Sequence, residues 1–510
     1  MAFFLGIDVG TSGTRAVVMG ADGHILAAGT GEHTVQAPRP GFSEQDPQQW
    51  WQATTTAVRT AVTRSGVDRS QIAAIGFSGQ MHGLVCLDRA GAVLRPAIIW
   101  NDQRTAEQCQ FITERAGGPE KLVELCGNVA MASFTLTKLL WVRQYEPEIY
   151  RQLAHMLLPK DYVRYRMTGL YAGDVSDMSG TMLLDQRTRN WSDEMLRLFE
   201  IDPAILPPVY ESHQVVGPLM AEAAEALGLT TRTLVVAGGG DQPVGAVGAG
   251  VVDAGLVSAT MGTSGVVYVH SHDYVTDPAG RVQTFCSSVA GQYCLFGCVL
   301  AAGGSLQWFR NVLGQDEVRA AAADGSDPYE RLTALAEKAP AGCEGLFWLP
   351  YLTGERTPYA DPAARACWIG ITPRTSRAEL VRSVMEGATF AMNDVLTILR
   401  QRGLKPAQVR LAGGGARSAF WRQLQADIYA APCATINSAE GPAFGAAILA
   451  AVGAGAFPSV PDACRQLIRV AATIKPDRTR AKLYRRYHQQ YRRLYPALRG
   501  QFKRMANLTN

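Results

Sequence analysis

The sequence predicts an α/β protein built from two similar domains, and three observations lead to this prediction. The chain has 510 residues, more than one hydrophobic core usually serves. The tetrapeptide GTSG occurs at residues 10–13 and again at residues 262–265, each time between short apolar, β-branched runs. After each copy, strand patterns give way to alternating helix and strand patterns. The duplication predicts a strand–turn–strand hairpin in each domain, with the domain boundary between residues 252 and 253.

The elements of the first domain follow from periodicity and capping. Alternating apolar residues predict strands near residues 3–9, 15–20, 24–30, 72–77 and 83–87. The pair Asp46-Pro47 predicts the start of a helix to about Arg64, because aspartate is a favoured N-cap and proline suits the first helical position. The apolar run TLVVAGGGDQ predicts a buried strand that enters a glycine-rich bend near residues 238–240.

The second domain contains the clearest helix, from Ser376 to about Arg402. It opens with the capping box S-R-A-E. One stripe carries Leu380, Val384, Met385, Ala388, Ala391, Met392, Val395 and Leu399. A strand at 408–412 and a helix at 418–429 follow. From Lys475 onward, tyrosines recur at helical spacing among arginines, which predicts a docked amphipathic helix with a solvated arginine face; a nucleic-acid-binding arm is the alternative.

Composition narrows the possible partners and location. A net charge of +4 is too small to indicate nucleic acid or a membrane as a partner. The ten cysteines include no CxxC pair and no zinc-type spacing with histidine, which favours reduced thiols in the cytoplasm. The N-terminus shows no basic leader, and GPAFGAAILAAVGAGAFPSVP contains too much Gly, Pro and Ala for a membrane span. The sequence therefore predicts a soluble cytoplasmic protein.

The two GTSG turns suit a phosphate chain. Glycine lets the backbone approach an anion, and successive N–H groups form a concave donor surface. Thr11, Ser12 and Thr263 add hydroxyl donors, while Arg15 is either a phosphate ligand or an ordinary surface arginine. A Walker loop is excluded because no glycine precedes a lysine, and a Rossmann loop because a strand follows each turn. The run AGGGARS at 412–418 lies between a strand and a helix, where a ribose and an adenine can approach the backbone.

Asp8 and Asp241 are the most informative carboxylates. Each ends or follows an apolar strand beside glycines, in FLGIDVG and VVAGGGDQ. Such a residue is either a structural helix cap or part of a site. Phosphoryl transfer needs a metal held by carboxylates or water, and a base for the attacking hydroxyl. Two aspartates near a phosphate cradle would fill those roles.

Two segments resemble the signatures of the FGGY family of carbohydrate kinases. They are SFTLTKLLWVRQ (133–144), with Tyr145 replacing a polar residue just after it, and ACWIGITPRTSRAELVRSVME (366–386). The chain is similar to this family as far as about residue 500. The resemblance implies two duplicated actin/hexokinase-type (ribonuclease H-like) domains flanking a catalytic cleft. Residues 1–252 would form the sugar-binding domain with the first phosphate hairpin, and residues 253–510 the nucleotide-binding domain with a C-terminal helical tail.

Within the family, the resemblance is strongest to kinases of ketopentoses. The segments that carry it are GFSEQDPQQWW (41–51), GFSGQMHGLVCLD (76–88), RPAIIWNDQR (95–104) and LPYLTGERTP (349–358). They imply ATP-dependent phosphorylation of a ketopentose, D-xylulose first, by in-line transfer.

The resemblance also implies a role for each matching residue. Asp241 would be the general base, and Asp8 would organise Mg²⁺ and the γ-phosphate, with both carboxylates holding the metal partly through water. The sugar would lie against Met81, His82, Gln242, Trp100, Asn101 and Asp102. The phosphates would face Thr11, Ser12, Arg15 and Thr263, and the nucleoside would face Gly303, Gln307, Gly414 and Ser418. The implied partners are ATP, Mg²⁺ and a small sugar, without nucleic acid or membrane, and a homodimer is one expected assembly.

Other functions remain open at this point. Gln242 leaves D-ribulose, L-xylulose, a pentitol or glycerol as alternative substrates, because glutamine at this position also occurs in glycerol kinases. An actin-like or chaperone-like ATPase would use the same fold without a sugar acceptor, but SGQMHG and IIWND argue against it. A catalytically inactive sugar sensor is disfavoured because both aspartates are present.

Overall fold

The structure is a computed structural model that describes residues 2–438 and 440–508. Its strands are β1 (Phe3–Val9), β2 (Gly13–Gly20), β3 (Ile25–Glu32), β4 (Glu44–Gln45), β5 (Ile72–Gly79), β6 (Val85–Leu87), β7 (Ala97–Ile98), β8 (His155–Leu157), β9 (Gly173–Asp174), β10 (Leu184–Asp185), β11 (Asn190–Trp191), β12 (Val209–Tyr210), β13 (Val215–Pro218), β14 (Leu234–Val236), β15 (Gly239–Gly240), β16 (Leu256–Met261), β17 (Gly265–Ser271), β18 (Gln283–Cys286), β19 (Tyr293–Val299), β20 (Phe347–Leu349), β21 (Cys367–Ile369), β22 (Gln408–Ala412), β23 (Cys433–Ile436) and β24 (Val470–Ile474).

Its α-helices are α1 (Pro47–Ser65), α2 (Ala106–Arg115), α3 (Pro119–Cys126), α4 (Thr135–Tyr145), α5 (Pro147–Gln152), α6 (Pro159–Thr168), α7 (Val175–Met178), α8 (Asp193–Phe199), α9 (Ala221–Leu227), α10 (Asp241–Gly248), α11 (Gly303–Val312), α12 (Gln315–Asp324), α13 (Pro328–Glu337), α14 (Arg377–Gln401), α15 (Ala419–Tyr429), α16 (Gly441–Gly453), α17 (Val460–Leu467) and α18 (Arg478–Asn507).

The chain divides into two compact units. Unit 1 contains the described residues up to Asp253 together with His270–Cys294 and Ser438–Arg469. Unit 2 contains Ala254–Val269, Leu295–Asn437 and the described residues from Val470 onward. This division differs from the single predicted boundary between residues 252 and 253, because two segments of the second half pack with the first. Pairing between elements so distant in the chain leaves no local pattern in the sequence.

The sheet of unit 1 runs in the order β13–β14–β5–β1–β2–β3, with β15 also paired to β5. The first GTSG turn joins the antiparallel strands β1 and β2, as predicted, and β5 lies parallel to β1. Helix α1 begins after Asp46, whose side chain accepts the N–H of Gln48, which confirms the predicted cap. This helix packs on β2 and β3, and α16 packs on β1 and β5. The residues GPAFGAAILAAVG of α16 are thus part of the core of unit 1.

The sheet of unit 2 contains β19, β17, β16, β22, β23 and β24 in that order. The second GTSG turn joins the antiparallel strands β16 and β17, which confirms the predicted repeat of the hairpin. Strand β22 lies parallel to β16, and the residues that follow β22 therefore lie at the same sheet edge as the turn. Helices α11, α13 and α15 all pack against α14.

Helix α14 is buried more completely than its apolar stripe predicts. The capping box of Ser376 and Glu379 is present as expected. From Val381 to Leu396, however, every residue is buried, including Arg382, whose Nε lies 2.8 Å from Glu386 Oε1. The polar face of this helix is therefore also buried against the protein, and its charged side chains, such as Arg382 and Glu386, pair with each other.

The predicted C-terminal helix is confirmed as a docked helix of unit 2. Tyr484, Tyr491 and Tyr495 of α18 are buried, and Tyr495 stacks on Tyr359 with ring centroids 3.7 Å apart. Several arginines of α18 are exposed on the opposite face, as expected. Among the described residues, no helix is both long and apolar enough to cross a membrane.

Candidate active site

Asp8 lies near the end of β1, opposite Ser78 in the parallel register with β5. Its Oδ1 atom is buried and has no hydrogen-bond partner in the described part of the chain. Burial raises the pKa of the Asp8 carboxyl, and its interaction with the Ser78 hydroxyl partly opposes this rise. A buried carboxylate oxygen without a donor suits a cation or a protonated ligand.

Asp241 opens α10 immediately after β15, as the buried run and glycine bend predicted. Asp241 is half-buried as a residue, and burial of its carboxyl raises the pKa to about 7. The charge of Asp8 also raises it, while Gln242, whose Nε2 donates to Asp241 Oδ1 over 3.3 Å, opposes the rise. Asp241 can therefore accept or release a proton near neutral pH.

A buried network fixes the backbone just before Asp241. The N–H of Gly240 donates to Ser176 Oγ over 3.2 Å, and Ser176 Oγ donates to Asp174 over 2.6 Å. Asp174 in turn lies 2.6 Å from the buried ammonium of Lys160. These residues were not singled out in the sequence, because their link to Asp241 exists only in the folded chain.

The turn that contains Met81 and His82 lies beside Asp241. The Met81 side chain packs against Gly240, where a Cβ atom would meet Met81 Sδ at 2.8 Å. His82 has a left-handed φ of 71°, and its carbonyl accepts hydrogen bonds from Lys138 Nζ at 3.0 Å and Thr135 Oγ1 at 3.1 Å. The structure thus brings together the predicted base and this turn.

The imidazole of His82 has a defined position. Its ring packs edge-on against Phe134 and Phe285, with centroid distances of 4.9 and 5.8 Å. A Cβ atom at Gly180 would meet His82 Nδ1 at 2.2 Å, so only glycine fits there without moving the ring. Neither Gly180 nor Phe285 was predicted to support His82, because both contacts form only in the folded chain.

The residues of the segment Trp100–Asp102 lie in different environments. The Trp100 indole donates to Thr11 Oγ1 over 3.0 Å, and Asn101 is exposed. Asp102 is fully buried, and its carboxylate accepts the Ser43 N–H at 2.6 Å and pairs with Arg104 at 2.7 Å. In this conformation the protein's own donors occupy the Asp102 carboxylate, and the predicted sugar contact of Asp102 stays a prediction.

Arg15 also has a partner that the sequence did not indicate. Its Nη2 and Nε atoms lie 2.7 and 2.8 Å from the two carboxylate oxygens of Glu440, a residue of unit 1. Arg15 is therefore neither an unpaired surface arginine nor a free phosphate ligand in this conformation. Ser12, at the tip of the first GTSG turn, is exposed.

The predicted nucleotide residues of unit 2 line one cavity of about 550 Å³. They are Thr263, Gly303, Gln307, Gly414 and Ser418. The same cavity is lined by Leu306, Tyr329 and Phe420, which sequence reasoning missed because no glycine-rich motif marks them. A cavity of this size with apolar walls and glycine backbone at one end suits a nucleoside.

The second GTSG turn is held against α11. The N–H groups of Gly303 and Gly304 donate to the carbonyls of Gly262 and Thr263, each over 2.9 Å. A Cβ atom at Gly303 would meet the Gly262 carbonyl oxygen at 2.4 Å, so this approach requires glycine.

The carboxylates of unit 1 fit a hard divalent cation. Among the described residues, no group of three or more His, Cys, Asp or Glu side chains is arranged to hold a metal. Two carboxylates, one with an orphaned buried oxygen, match Mg²⁺, which keeps several waters and binds through one or two carboxylates plus phosphates.

Comparison with known proteins agrees with this geometry. The N-terminal domain model of the FGGY family of carbohydrate kinases matches residues 3–248, and the C-terminal domain model matches residues 257–454. The chain is 40% identical to the xylulose kinase of Escherichia coli (strain K12) over 97% of this chain and 99% of that protein. It is 38% identical to the xylulose kinase of Bacillus subtilis (strain 168) over 97% of each. The crystal structure of xylulose kinase from Rhodospirillum rubrum superimposes with a TM-score of 0.90 at 29% identity, covering 98% of this chain and 100% of that one.

Proposed function

This chain belongs to the FGGY family of carbohydrate kinases, and from that premise we propose that it transfers the γ-phosphoryl group of ATP to D-xylulose. The observation that carries the proposal is Asp241, a carboxylate with a pKa of about 7 beside Asp8 and the Met81–His82 turn. The curated relatives at 38–40% identity are xylulose kinases, which makes D-xylulose the first substrate and D-xylulose 5-phosphate the product.

Asp241 is the general base of this proposal. Its carboxylate takes the proton from the attacking sugar hydroxyl, and the oxygen then attacks the γ-phosphorus in line with the leaving oxygen of ADP. Gln242 orients the Asp241 carboxyl through its amide, and Met81 and His82 bind the sugar. No covalent enzyme intermediate is required, since positioning and charge stabilisation supply the catalysis.

Asp8 and Asp241 would hold Mg²⁺, partly through water. The cation supplies positive charge to the phosphate oxygens when it is bound. Thr11, Ser12 and Thr263 face the phosphates, and the cavity with Gly303, Gln307, Gly414 and Ser418 holds the nucleoside. Arg15 reaches the phosphates only after it exchanges the Glu440 carboxylate for them.

The acid limb of the pH profile reports Asp241. A base must be unprotonated to act, so we expect kcat/KM for the sugar to rise with pH and to level off above a pKa of about 7. The measurement uses both substrates well below saturation, so that the profile reports the free enzyme. An acid limb near the ordinary aspartate range, around pH 4, would contradict this assignment.

A substrate panel tests the choice of sugar. Coupled ADP release is measured with D-xylulose, D-ribulose, L-xylulose, pentitols, aldonic acids and glycerol. We expect kcat/KM to fall in the order D-xylulose, D-ribulose, glycerol, because a site built for particular hydroxyls rejects analogues that leave its polar groups unpaired. If glycerol or D-ribulose is preferred, D-xylulose is the wrong substrate, while sugar kinase activity stands. ATP hydrolysis that no acceptor stimulates would instead favour an actin-like or chaperone-like ATPase.

Two features of the proposal rest on the sequence alone. They are a cytoplasmic location and assembly as a homodimer. Light scattering on the purified full chain distinguishes a dimer from a monomer.

A further inference from the structure

The first GTSG turn is supported by two buried glutamines. Gln80 Nε2 donates to the carbonyl of Gly10 over 3.2 Å, and Gln45 Nε2 donates to the carbonyl of Thr11 over 2.7 Å. Both side chains are almost completely buried, with 1% of Gln45 and 2% of Gln80 exposed. Gln45 lies 34 positions along the chain from Thr11, and Gln80 lies 70 positions from Gly10. The fold, rather than the local sequence, therefore brings both side chains to the turn.

The hydrogen bonds fix which way each amide faces. The Trp50 indole donates to Gln45 Oε1 over 3.1 Å, and an indole N–H can only donate. Gln80 Nε2 donates to the same Gln45 Oε1 over 2.7 Å. The oxygen of Gln45 is therefore used by two donors, which turns its NH₂ group towards Thr11.

The orientation of the carbonyls sets the orientation of the N–H groups. In a planar trans peptide the C=O and the following N–H point in opposite directions. Holding the carbonyls of Gly10 and Thr11 therefore turns the N–H groups of Thr11 and Ser12 away from the glutamines. Neither N–H has a hydrogen-bond partner among residues 2–438 and 440–508.

The second GTSG turn shows the same arrangement with different donors. In unit 2 the carbonyls of its first two residues, Gly262 and Thr263, are held by the N–H groups of Gly303 and Gly304. In unit 1 the equivalent carbonyls, those of Gly10 and Thr11, are held by the two side-chain amides instead. In both copies of GTSG, hydrogen bonds to the carbonyls of the first two residues thus fix the orientation of the two peptide groups that follow.

We propose that Gln45 and Gln80 are positioning residues, which hold the first GTSG turn so that the N–H groups of Thr11 and Ser12 face the phosphates of ATP. This inference rests on the proposed kinase function. Donors that are already oriented need not reorganise when the phosphates bind. We therefore expect loss of either glutamine to slow phosphoryl transfer. Gln80 also precedes Met81, so one residue anchors both the phosphate turn and the start of the sugar-binding turn.

The test compares Gln45→Met and Gln80→Met with Gln108→Met. Gln108 is equally buried in α2 of unit 1, but its Nε2 donates to Gln144 Oε1 over 2.8 Å rather than to a carbonyl of either turn. All three variants lose one buried amide of the same size. Steady-state kinetics with D-xylulose, calorimetric binding of a nonhydrolysable ATP analogue, sugar binding without nucleotide, and thermal unfolding are measured on each.

We expect kcat/KM for ATP to fall about 10- to 100-fold in the Gln45 and Gln80 variants, with weaker binding of the ATP analogue. Sugar binding without nucleotide should stay within about twofold for Gln45→Met. Gln108→Met should lower the melting temperature but leave kcat/KM for ATP within about twofold of the wild type. If Gln45→Met and Gln80→Met lose only thermal stability, as the Gln108 control does, the proposal is wrong.

The experiment also covers variants that do not fold and a wild type that phosphorylates no sugar. If the methionine variants do not fold, Gln45→Asn and Gln80→Asn, whose amides are one methylene shorter, take their place with the same expected loss. If wild type fails to phosphorylate any sugar in the panel, the proposed function fails, while binding of the ATP analogue by the variants still decides the role of the glutamines.

Discussion

Replacing Asp241 by asparagine lowers kcat by about 10²- to 10⁴-fold, the usual contribution of a general base, while the sugar still binds. Asparagine keeps the shape of the side chain and its packing at the start of α10, but it cannot take a proton from the sugar hydroxyl. The loss should appear in kcat rather than in the dissociation constant for the sugar, because the interaction is made during transfer. Single-turnover phosphorylation and calorimetric sugar binding measure the two quantities separately.

Asp88→Asn is the matched control for Asp241→Asn. Asp88 is a carboxylate of unit 1 whose Oδ1 accepts the N–H groups of Ala90 and Ala92 in a surface turn. Its replacement should leave kcat within about twofold of wild type, since this turn has no part in the site. A kcat for Asp241→Asn close to that of the control would exclude Asp241 as the base.

Local features of the fold were predictable from sequence. The two hairpins, the Asp46 cap of α1 and the Ser376 capping box all depend on residues a few positions apart, so their patterns are visible in a linear chain. The same holds for Asp8 and Asp241, which stand out as charged residues beside glycines at the ends of apolar strands. The resemblance to FGGY signatures predicted a two-domain α/β fold, and the matches to the N- and C-terminal family models confirm it.

Long-range contacts were not predictable from one sequence. The partner of Arg15 is Glu440, 425 positions away, and α16 lies on the sheet of unit 1 although it follows most of unit 2 in the chain. Asp102 was predicted as a sugar contact from the resemblance alone, and its hydrogen bond from Ser43 and ion pair with Arg104 are visible only in the folded chain. Gln45 and Gln80 lie in segments that carry the family resemblance, but their role was not predictable, because the hydrogen-bond partners of a buried amide are visible only in the folded chain.

The full set of site residues remains a prediction that mutagenesis must test. Within unit 1 the Met81–His82 turn and Gln242 lie beside Asp241, and within unit 2 the predicted nucleoside residues line one cavity. In unit 1 a turn beside the proposed base is consistent with sugar binding. In unit 2 a cavity lined partly by glycines is consistent with nucleoside binding.

Replacing Asp8 by asparagine should have two separable effects. The first is a fall in kcat of about 10²-fold or more, with a higher Mg²⁺ concentration needed for half-maximal activity, because the variant lacks a carboxylate that holds the cation. The second concerns Asp241. The negative charge of Asp8 disfavours the charged form of Asp241 and so raises its pKa. Without that charge the pKa of Asp241 falls, and the acid limb of kcat/KM should move to lower pH than in wild type.

The pH dependence and the Mg²⁺ dependence distinguish the two roles of Asp8. Both are measured on the residual activity of Asp8→Asn, after treatment with EDTA and readdition of Mg²⁺. A shifted acid limb with unchanged Mg²⁺ dependence would leave Asp8 as an electrostatic neighbour of the base and remove it from the metal site. An unshifted limb would show that the charge of Asp8 does not contribute to the raised pKa of Asp241. Only both changes together support a carboxylate that tunes the base and holds the cation, and wild-type activity that survives EDTA would contradict the metal site itself.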